Sequence, residues 1–405
     1  MRKVCKWLCY PMAAIAVLLF SFSVFVGTQL PDTFTVETGT SVQLAQFPYV
    51  QQRAERPQEL AVVGVQQDTS YATQLRLFGV IPVKEIRAVQ SARRTVTVCG
   101  TPFGVKMFTD GALVVSFTDI STSTGSRNPA KTAGIKTGDI IKSVAGKKTK
   151  TNEDIIAALQ ALKGAPAEVI YVRGGVTYNT LLTAVLDKST GTYRAGMWVR
   201  DSSAGIGTLT FCDMATGVFA GLGHSIHDAD TGDSLTLRTG EIVSVDITGF
   251  AAGASGSPGE LKGRFSSGPA LGEITVNGET GVYGTLCSTP QGTVMPVAFV
   301  QEIQAGYAEM ITTINGTTPQ RYSVVIEKIT LNGQDSNRNM VVRVTDERLL
   351  TQTGGIIQGM SGSPIIQNGR FVGSVTHVLV NDPTRGYAIF AENMLATADN
   401  VAQAA

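Results

Sequence analysis

Two short segments place a serine between glycines and follow it with proline, a setting in which a serine hydroxyl can act as a nucleophile. They are "GASGSP" at 253–258 and "GMSGSP" at 359–364. A nucleophile must be held rigidly, because a displacement of about 1 Å can cost on the order of 100-fold in rate. The first question is therefore whether Ser255 or Ser361 lies between regular elements that could hold it.

The residues after Ser361 predict such support. An apolar run, "PIIQ", leads to Asn368-Gly369, a strong signal for a two-residue hairpin turn, and then to a second run, "RFVGSVTHV". The segment after Ser255, "SPGELKGRFSSG", has no comparable apolar run. The sequence therefore predicts Ser361 as the nucleophile and Ser255 as part of a loop.

A serine hydroxyl becomes a good nucleophile only when a base takes its proton. The chain has three histidines. His224 ends a small-residue apolar run and is the predicted base, whereas His227 falls among acidic and Thr/Gly residues and is predicted to be exposed. His377 lies on the second strand after Ser361, where we expect it to line the substrate pocket.

A carboxylate that orients the histidine is the third requirement. Asp246 in "IVSVDITGF" and Asp346 in "VVRVTDERLL" are both on predicted strands, and spacing does not choose between them. The cluster "HSIHDADTGD" lacks the spacing of an HExxH site or of an EF-hand loop. We therefore expect neither a metal ion nor another cofactor.

Composition bounds the architecture. The 405 residues are 43% hydrophobic, enough for two domains with sizeable cores, and short Val/Ile/Thr-rich runs favour β structure. The formal net charge is +1 without a basic stripe, which argues against a nucleic-acid partner. The five cysteines show no CxxC spacing and predict no disulfide framework.

The N-terminus predicts a membrane anchor within residues 1–30. Arg2, Lys3 and Lys6 precede a nearly uncharged run that is long enough to cross a bilayer. A cleaved signal peptide is the alternative, but no small-x-small cleavage site follows. The rest of the chain is then expected outside the cytoplasm, beginning with a tether or irregular extension over residues 31–84.

Residues 85–186 carry a mixed pattern of strands and helices. Two β-rich runs flank an Asp110-Gly111 turn, and "TNEDIIAALQALK" predicts an amphipathic helix capped by Thr151 or Asn152. With "PAKTAGIKTGDII" at its centre, the block resembles a bacterial PDZ domain.

The PDZ resemblance implies a loop whose backbone N–H groups receive the terminal carboxylate of a peptide, which then adds as a strand to the sheet edge. The matching residues are Gly104, Val105 and Lys106. The ligand would be a C-terminal peptide or a segment of the same chain. The alternative is a PDZ-like packing module that has no free ligand.

Residues 187–405 are rich in short strands and suit a two-barrel β domain. The Ser361 segment resembles the nucleophile region of chymotrypsin-like serine proteases, which implies an oxyanion hole formed by the N–H groups of Gly359 and Ser361. In that arrangement Gly355 would lie at the base of the specificity pocket. It carries no acid, so a preference for Arg or Lys lacks its usual partner, and His377 is expected to shape the pocket.

A more specific resemblance covers nearly the whole chain. The segment from "VTDERLL" to "FAENML", together with "GLGHSIHDADTG", resembles the SpoIVB peptidases of endospore-forming bacteria. The resemblance implies His224, Asp346 and Ser361 as the catalytic triad. The expected fold is mainly β, with an N-terminal membrane anchor, a PDZ domain and a chymotrypsin-like double β-barrel serine peptidase domain.

The same resemblance implies a role in sporulation signalling. Such a protease crosses the inner forespore membrane, acts in the intermembrane space and cleaves a membrane-bound inhibitory partner of an intramembrane metalloprotease. This starts processing of the late mother-cell sigma factor, sigma-K. The resemblance also implies self-cleavage, which we expect within residues 30–80. The alternative function is a catalytically inactive, PDZ-containing scaffold at the forespore membrane.

Overall fold

The structure is a computed structural model that describes residues 2–52, 70–227, 232 and 237–404. The chain is mainly β. Its helices are short, apart from the first and the last: α1 (Arg2–Gln29), α2 (Pro129–Thr132), α3 (Asn152–Leu162), α4 (Glu347–Thr353) and α5 (Ala391–Ala404). Part of α1, Met12–Gln29, is long and apolar enough to cross a membrane, as the sequence predicted.

A four-stranded sheet follows α1, in the order β1-β4-β3-β2. Its strands are β1 (Thr33–Glu37), β2 (Val50–Gln52), β3 (Ser70–Leu77) and β4 (Ile81–Ser91). Phe34 and Leu75 are fully buried in its core. The expectation of an irregular tether over residues 31–84 is therefore wrong for the described part, because the strands bury alternate apolar residues against one another. Residues 53–69 lie outside the described part.

The next region contains the elements predicted for the PDZ-like block. Its strands are β5 (Thr95–Val98), β6 (Pro102–Phe117), β7 (Ile120–Thr122), β8 (Gly125–Arg127), β9 (Ile140–Val144), β10 (Lys147–Lys148), β11 (Ala167–Arg173), β12 (Val176–Leu182), β13 (Val185–Leu186) and β14 (Tyr193–Arg194). The capped helix is confirmed, since the Thr151 side chain accepts from the Asp154 N–H and the Asp154 carboxylate accepts from the Thr151 N–H.

The predicted turn at Asp110-Gly111 is wrong. Strand β6 continues through both residues, and Gly111, with a φ of +109°, sits at an irregularity. A Cβ at Gly111 would lie 2.6 Å from the carbonyl oxygen of Ile141, so the close approach of β9 requires glycine here. Asp110-Gly111 therefore allows one strand to serve two regions: its second half pairs with β9 and its first half enters a barrel.

The first barrel is a closed ring of six strands, β6-β17-β19-β20-β16-β15, in which β15 returns to pair with β6. The strands of this region are β15 (Met197–Asp213), β16 (Val218–Gly221), β17 (Leu237–Ala251), β18 (Glu260–Phe265), β19 (Gly272–Gly278), β20 (Gly281–Leu286) and β21 (Thr293–Pro296). Because β6 closes the ring, strand pairing does not stop at the boundary expected between residues 186 and 187.

The second barrel is also closed, in the order β22-β23-β24-β27-β26-β25. Its strands are β22 (Gly306–Thr312), β23 (Gln320–Ile329), β24 (Met340–Val344), β25 (Pro364–Gln367), β26 (Arg370–Leu379) and β27 (Asp382–Phe390). Met310, Val324 and Val342 fill its interior without exposure to solvent. The predicted two-barrel arrangement is thereby confirmed.

Candidate active site

Ser361 lies in a tight turn between α4 and β25, with support on both sides. Asn368 and Gly369 have φ angles of +52° and +74°, as the predicted hairpin between β25 and β26 requires. Gly362 has a φ of +92°, and a Cβ there would lie 2.2 Å from the carbonyl oxygen of Thr208. Glycine is therefore required beside Ser361 by both conformation and space.

The serine turn is also attached to the first barrel. The backbone N–H of Thr208 on β15 donates to the carbonyl of Ser361 at 3.0 Å, and the Thr208 hydroxyl donates to the carbonyl of Gly359 at 3.0 Å. The Thr210 hydroxyl donates to the carbonyl of Gly362 at 2.8 Å. Neither threonine is predictable from the sequence, because nothing in an alternating strand marks residues that bind a turn about 150 positions away.

Ser255 lies in a different environment. It is exposed in a turn, and its hydroxyl donates to the carbonyl of Asn381 at 2.9 Å. A strand, β18, does follow it, contrary to the expectation that no strand would. Its prediction as a loop residue is nevertheless confirmed.

His224 reaches the second barrel from the end of β16. A Cβ at the preceding Gly223 would lie 2.8 Å from Cγ2 of Thr376, so the chain passes directly over β26. The imidazole rings of His224 and His377 have centroids 4.7 Å apart and planes tilted by 34°. The Ser361 hydroxyl donates to the carbonyl of Thr376 at 2.8 Å. Both His224 and Ser361 therefore contact the Thr376–His377 segment. His227, by contrast, is exposed, as the sequence predicted.

The hydrogen bonding of His224 indicates its tautomer. Its Nδ1 is 2.7 Å from the carbonyl oxygen of Ser225, which can only accept, so Nδ1 carries the proton and donates. Nε2 is then the nitrogen able to accept a proton. Burial lowers the pKa of His224, the bond to the Ser225 carbonyl acts in the opposite direction, and nearby His227 lowers it further.

His377 is held in the neutral form more strongly. Burial, followed by the nearby positive charges of His224 and Arg338, lowers its pKa to about 4. Within the described part of the chain its buried Nδ1 has no hydrogen-bond partner. At neutral pH this ring is an uncharged surface against which His224 packs.

Asp346 has partners other than a histidine. Its carboxylate caps α4 by accepting from the N–H of Arg348 at 3.0 Å, and it accepts from the N–H of Ser323 at 3.2 Å. The Arg348 guanidinium lies 2.8 Å away. The hydrogen bond from Arg348 is the main reason that the pKa of Asp346 falls to about 2, with burial acting in the opposite direction.

The strand register separates Asp346 from the histidines. Val341 on β24 pairs with Tyr387 on β27, and His377 on β26 lies near the level of Tyr387. Asp346 lies two residues past the end of β24 and, within the described residues, makes no hydrogen bond or ion pair with a histidine. The expectation that Asp346 orients His224 is therefore not met in this structure. The other candidate, Asp246, is exposed on β17 and pairs in register with Arg264.

Gly355 lies in a packed environment. It is buried, and a Cβ there would be 2.1 Å from the carbonyl oxygen of Pro383. Backbone fills the space into which a side chain at this position would project, so the position requires glycine, and its role at the base of the specificity pocket stays a prediction.

The residues expected to form a carboxylate-binding loop are also placed elsewhere. Gly104, Val105 and Lys106 lie within β6, paired on one edge with β15 and on the other with β17. A backbone in the middle of a barrel wall has no free edge for a peptide strand. These residues therefore do not form the loop that the PDZ resemblance implied.

Two closed β-barrels with a rigid serine turn and a histidine at their junction are an arrangement typical of serine peptidases. The model of the family described as SpoIVB peptidase S55 matches residues 191–395, just over half of the chain. The chain belongs to the SpoIVB peptidase S55 family and is therefore a sporulation serine peptidase.

Two further comparisons concern solved structures and curated proteins. Among solved structures, the PDZ domain of the SdrC-like protein from Listeria monocytogenes is 22% identical, with a TM-score of 0.19, over 23% of this chain and 90% of that chain. A comparison with curated proteins gave no match.

Proposed function

We propose that the protein is a serine endopeptidase in which Ser361 is the nucleophile and His224 is the general base. The observation that carries the proposal is the junction itself. Ser361 and His224 come from different barrels and contact neighbouring residues of β26: the Ser361 hydroxyl donates to the carbonyl of Thr376, and the His224 ring packs on His377. The Nδ1–H of His224 is already engaged by a carbonyl, which leaves Nε2 available to take a proton.

The proposed reaction is acyl transfer. Oγ of Ser361 attacks the peptide carbonyl carbon while its proton passes to Nε2 of His224. For this the hydroxyl must rotate away from the Thr376 carbonyl, to which it now donates. His224 then gives the proton to the leaving amine, and water hydrolyses the acyl-enzyme by the same route.

The N–H groups of Gly359 and Ser361 are the proposed donors to the oxyanion. Within the described residues no acceptor is seen for either of them, and the Thr208 contacts hold the neighbouring carbonyls in place. Losing one such donor typically costs about 2.7–4 kcal/mol of transition-state stabilisation.

Two groups take the place of a carboxylate at His224 in this proposal. The Ser225 carbonyl fixes the tautomer, and the neutral ring of His377 fixes the orientation of the imidazole. Asp346 then acts as a positioning residue, because it caps α4, which ends at Thr353, eight residues before Ser361. The triad role implied for Asp346 by the family resemblance becomes an outcome to be tested.

The proposed substrate is a protein. Following the SpoIVB resemblance, it is a membrane-bound inhibitory partner of the intramembrane sporulation metalloprotease, and its cleavage starts sigma-K processing. The proposed location is the inner forespore membrane, with the barrels in the intermembrane space. The PDZ-like block is proposed as a packing module whose partner is the chain itself, because its strand β6 pairs along one edge with β15 and along the other with β17.

Self-cleavage within residues 30–80 remains part of the proposal, with one constraint. Strand β1 pairs in parallel with β4 over five residue pairs, so a cut after β1 leaves the anchor attached non-covalently. Release of the two barrels would also require β1 to separate from β4. After a cut before Thr33 it would require α1 to separate from β4, because Val26 and Leu30 are buried in the same core as Phe34.

An inactive scaffold is the second candidate. It is favoured by the Ser361 hydroxyl, which donates to a carbonyl and not to a histidine. A fluorophosphonate probe discriminates between the two. We expect labelling of the wild-type protein and of Ser255→Ala, and none of Ser361→Ala. Absence of labelling in the folded wild-type protein under sporulation-like conditions would favour the scaffold.

A further inference from the structure

The turn between β3 and β4 combines two unusual features. Phe78 and Val80 are 62% and 73% exposed. Phe78 and Gly79 have φ angles of +52° and +73°, and the N–H of Val80 donates to the carbonyl of Leu77 at 3.1 Å. Both central residues of this hairpin turn are therefore in the left-handed region, where Asn-Gly is preferred and a bulky residue is an outlier.

The turn lies beside the apolar helix α1. The Ser23 hydroxyl donates to the carbonyl of Pro82 at 2.8 Å, and a Cβ at Gly27 would be 3.1 Å from the carbonyl oxygen of Val83. The Lys84 ammonium donates to the carbonyl of Leu30. As β4 is followed back from Lys84 towards the turn, it therefore runs alongside α1 in the direction of the helix N-terminus.

Aromatic contacts connect the turn to the helix. The rings of Phe22 and Tyr49 have centroids 5.7 Å apart, and those of Tyr49 and Phe78 are 6.1 Å apart. Leu19 and Tyr49 also pack against the buried core of the four-stranded sheet. The apolar surface of α1 thus continues onto Phe78 and Val80.

The depth of the turn follows from element geometry. Along β4, the turn lies about 7 Å beyond Pro82, and Pro82 is level with Ser23 of α1. The same distance along α1 corresponds to four or five residues. The tip is therefore near the level of Leu19. About 20 helical residues cross a bilayer, and counted from Lys6 they end near Val26. The tip would then lie about 10 Å inside that boundary.

We propose that Phe78 and Val80 insert into the lipid bilayer next to α1, as a second, non-helical membrane contact. A lipid environment gives the exposed apolar side chains a solvent in which they are favoured, which compensates for placing phenylalanine in the left-handed region. The nearest charged residue of β3, Arg76, does not oppose this, because its Nε donates to Gln74 at 3.0 Å, on the side away from the tip. The orientation of the peptidase relative to the membrane is then fixed by two points.

Fluorescence quenching of the full-length protein in phosphatidylcholine vesicles tests the proposal. Trp7 and Trp198 are replaced by phenylalanine, and a single tryptophan is introduced by Val80→Trp. The matched control is Tyr307→Trp, at an aromatic residue of the second barrel that is 64% exposed. With acyl chains brominated near their middle, we expect the tryptophan at 80 to lose most of its fluorescence and the one at 307 to lose none.

A second pair of variants isolates Phe78 in the Val80→Trp background. Phe78→Asn suits the turn but is polar, so the fold should be retained while lipid quenching decreases and emission shifts to longer wavelength. Phe78→Leu keeps an apolar side chain and should retain quenching. Equal quenching in the two variants would overturn the role of Phe78.

Two other outcomes would overturn the proposal as a whole. One is that aqueous acrylamide quenches the tryptophan at 80 as strongly as the one at 307, while α1 resists alkaline extraction from the vesicles. The other is that the protein does not incorporate into vesicles, which would rule out membrane insertion of both α1 and the turn at Phe78 and Val80. Peptidase activity is not used as a readout, so these results are independent of the proposed catalytic residues.

Discussion

The imidazole of His224, from the first barrel, packs on the imidazole of His377, from the second, with ring centroids 4.7 Å apart. The contact joins the two barrels next to Ser361. Two histidines this close cannot both be charged without mutual repulsion, and burial of each favours the neutral form. The junction is therefore sensitive to pH.

We expect acid to weaken the fold through His377. Its pKa in the folded state is about 4, below its ordinary value of 6.5, so the unfolded chain binds more protons between these values. The contribution to stability is complete above pH 6.5 and is lost as the pH falls towards 4. His377→Gln should reduce this pH-dependent loss by on the order of 1–2 kcal/mol after solvent screening. Denaturant unfolding at several pH values measures it, with the exposed His227→Gln as control. If the free energy of unfolding changes with pH in the same way for wild type and His377→Gln, the prediction is contradicted.

Asp346 should act through α4 and not on the imidazole. Asp346→Asn keeps one acceptor oxygen, which can still cap α4 through the Arg348 N–H but loses the bond from the Ser323 N–H, so we expect peptidase activity within about tenfold of wild type. Asp346→Ala should lose about 1–2 kcal/mol of stability, together with more of the activity. Kinetics and unfolding of both variants test this. If Asp346→Asn loses activity about 10⁴-fold with unchanged stability, the carboxylate takes part in the chemistry, as in a triad.

Glu392 is predicted to destabilise the fold at neutral and alkaline pH. Burial, with the nearby charge of Glu302, raises its pKa to about 8, and its Oε1 has no hydrogen-bond partner in the described part of the chain. The folded state therefore holds a proton that the unfolded chain releases, and stability falls as the pH rises from about 4.5 to about 8. Glu392→Gln should be more stable than wild type at pH 8, by on the order of 2–4 kcal/mol.

The matched control is Glu302→Gln. Glu302 accepts from the Arg93 guanidinium at 2.8 Å and lies 3.0 Å from Arg370, so loss of its charge should destabilise the protein. Chemical unfolding at pH 5 and pH 8 measures the free energy of unfolding of both variants. At pH 8 we expect this free energy to rise above the wild-type value for Glu392→Gln and to fall below it for Glu302→Gln. A destabilised Glu392→Gln at pH 8 would show that the carboxylate has an ionic partner.

The anchor should remain attached after a cut within residues 53–69. Phe34 and Val36 of β1 are buried against β4, and five residue pairs join these strands. A site for an exogenous protease, inserted in the Ser361→Ala protein at this position, should give a nicked chain that still sediments with membranes. The same site inserted between Gln29 and Thr33 cuts on the anchor side of β1 and leaves only the packing of α1 on β4, so it should release more of the peptidase. Release from both positions in the absence of denaturant would contradict the role given to β1.

The features that sequence patterns predicted correctly are local ones. The hairpin after Ser361 depends on Asn368 and Gly369 adopting positive φ, and the start of α3 depends on Thr151 and Asp154, three residues apart. His224, at the end of an apolar run, lies at the junction of the barrels, and its role as the base stays a prediction. Each depends on conformational preferences that act within a few residues.

The features that were missed depend on residues far apart in the chain. The sequence did not indicate that Asp346 would accept from Ser323, that Gly355 would pack against Pro383, or that Thr208 would bind the serine turn. Spacing along a strand says which face a residue occupies but not which strand lies next to it.

The sequence by itself determined the membrane-length helix, the β-rich composition, the rigid turn of Ser361 and the family of the protein. Only the tertiary structure decided that β6 would close a barrel and leave no free edge at Gly104–Lys106, and that the segment after the anchor would form a sheet. The physical reason is the range of the interactions. Turn conformations, caps and apolar periodicity are set by neighbouring residues, whereas strand partners and buried ion pairs are chosen by the free energy of packing the whole chain.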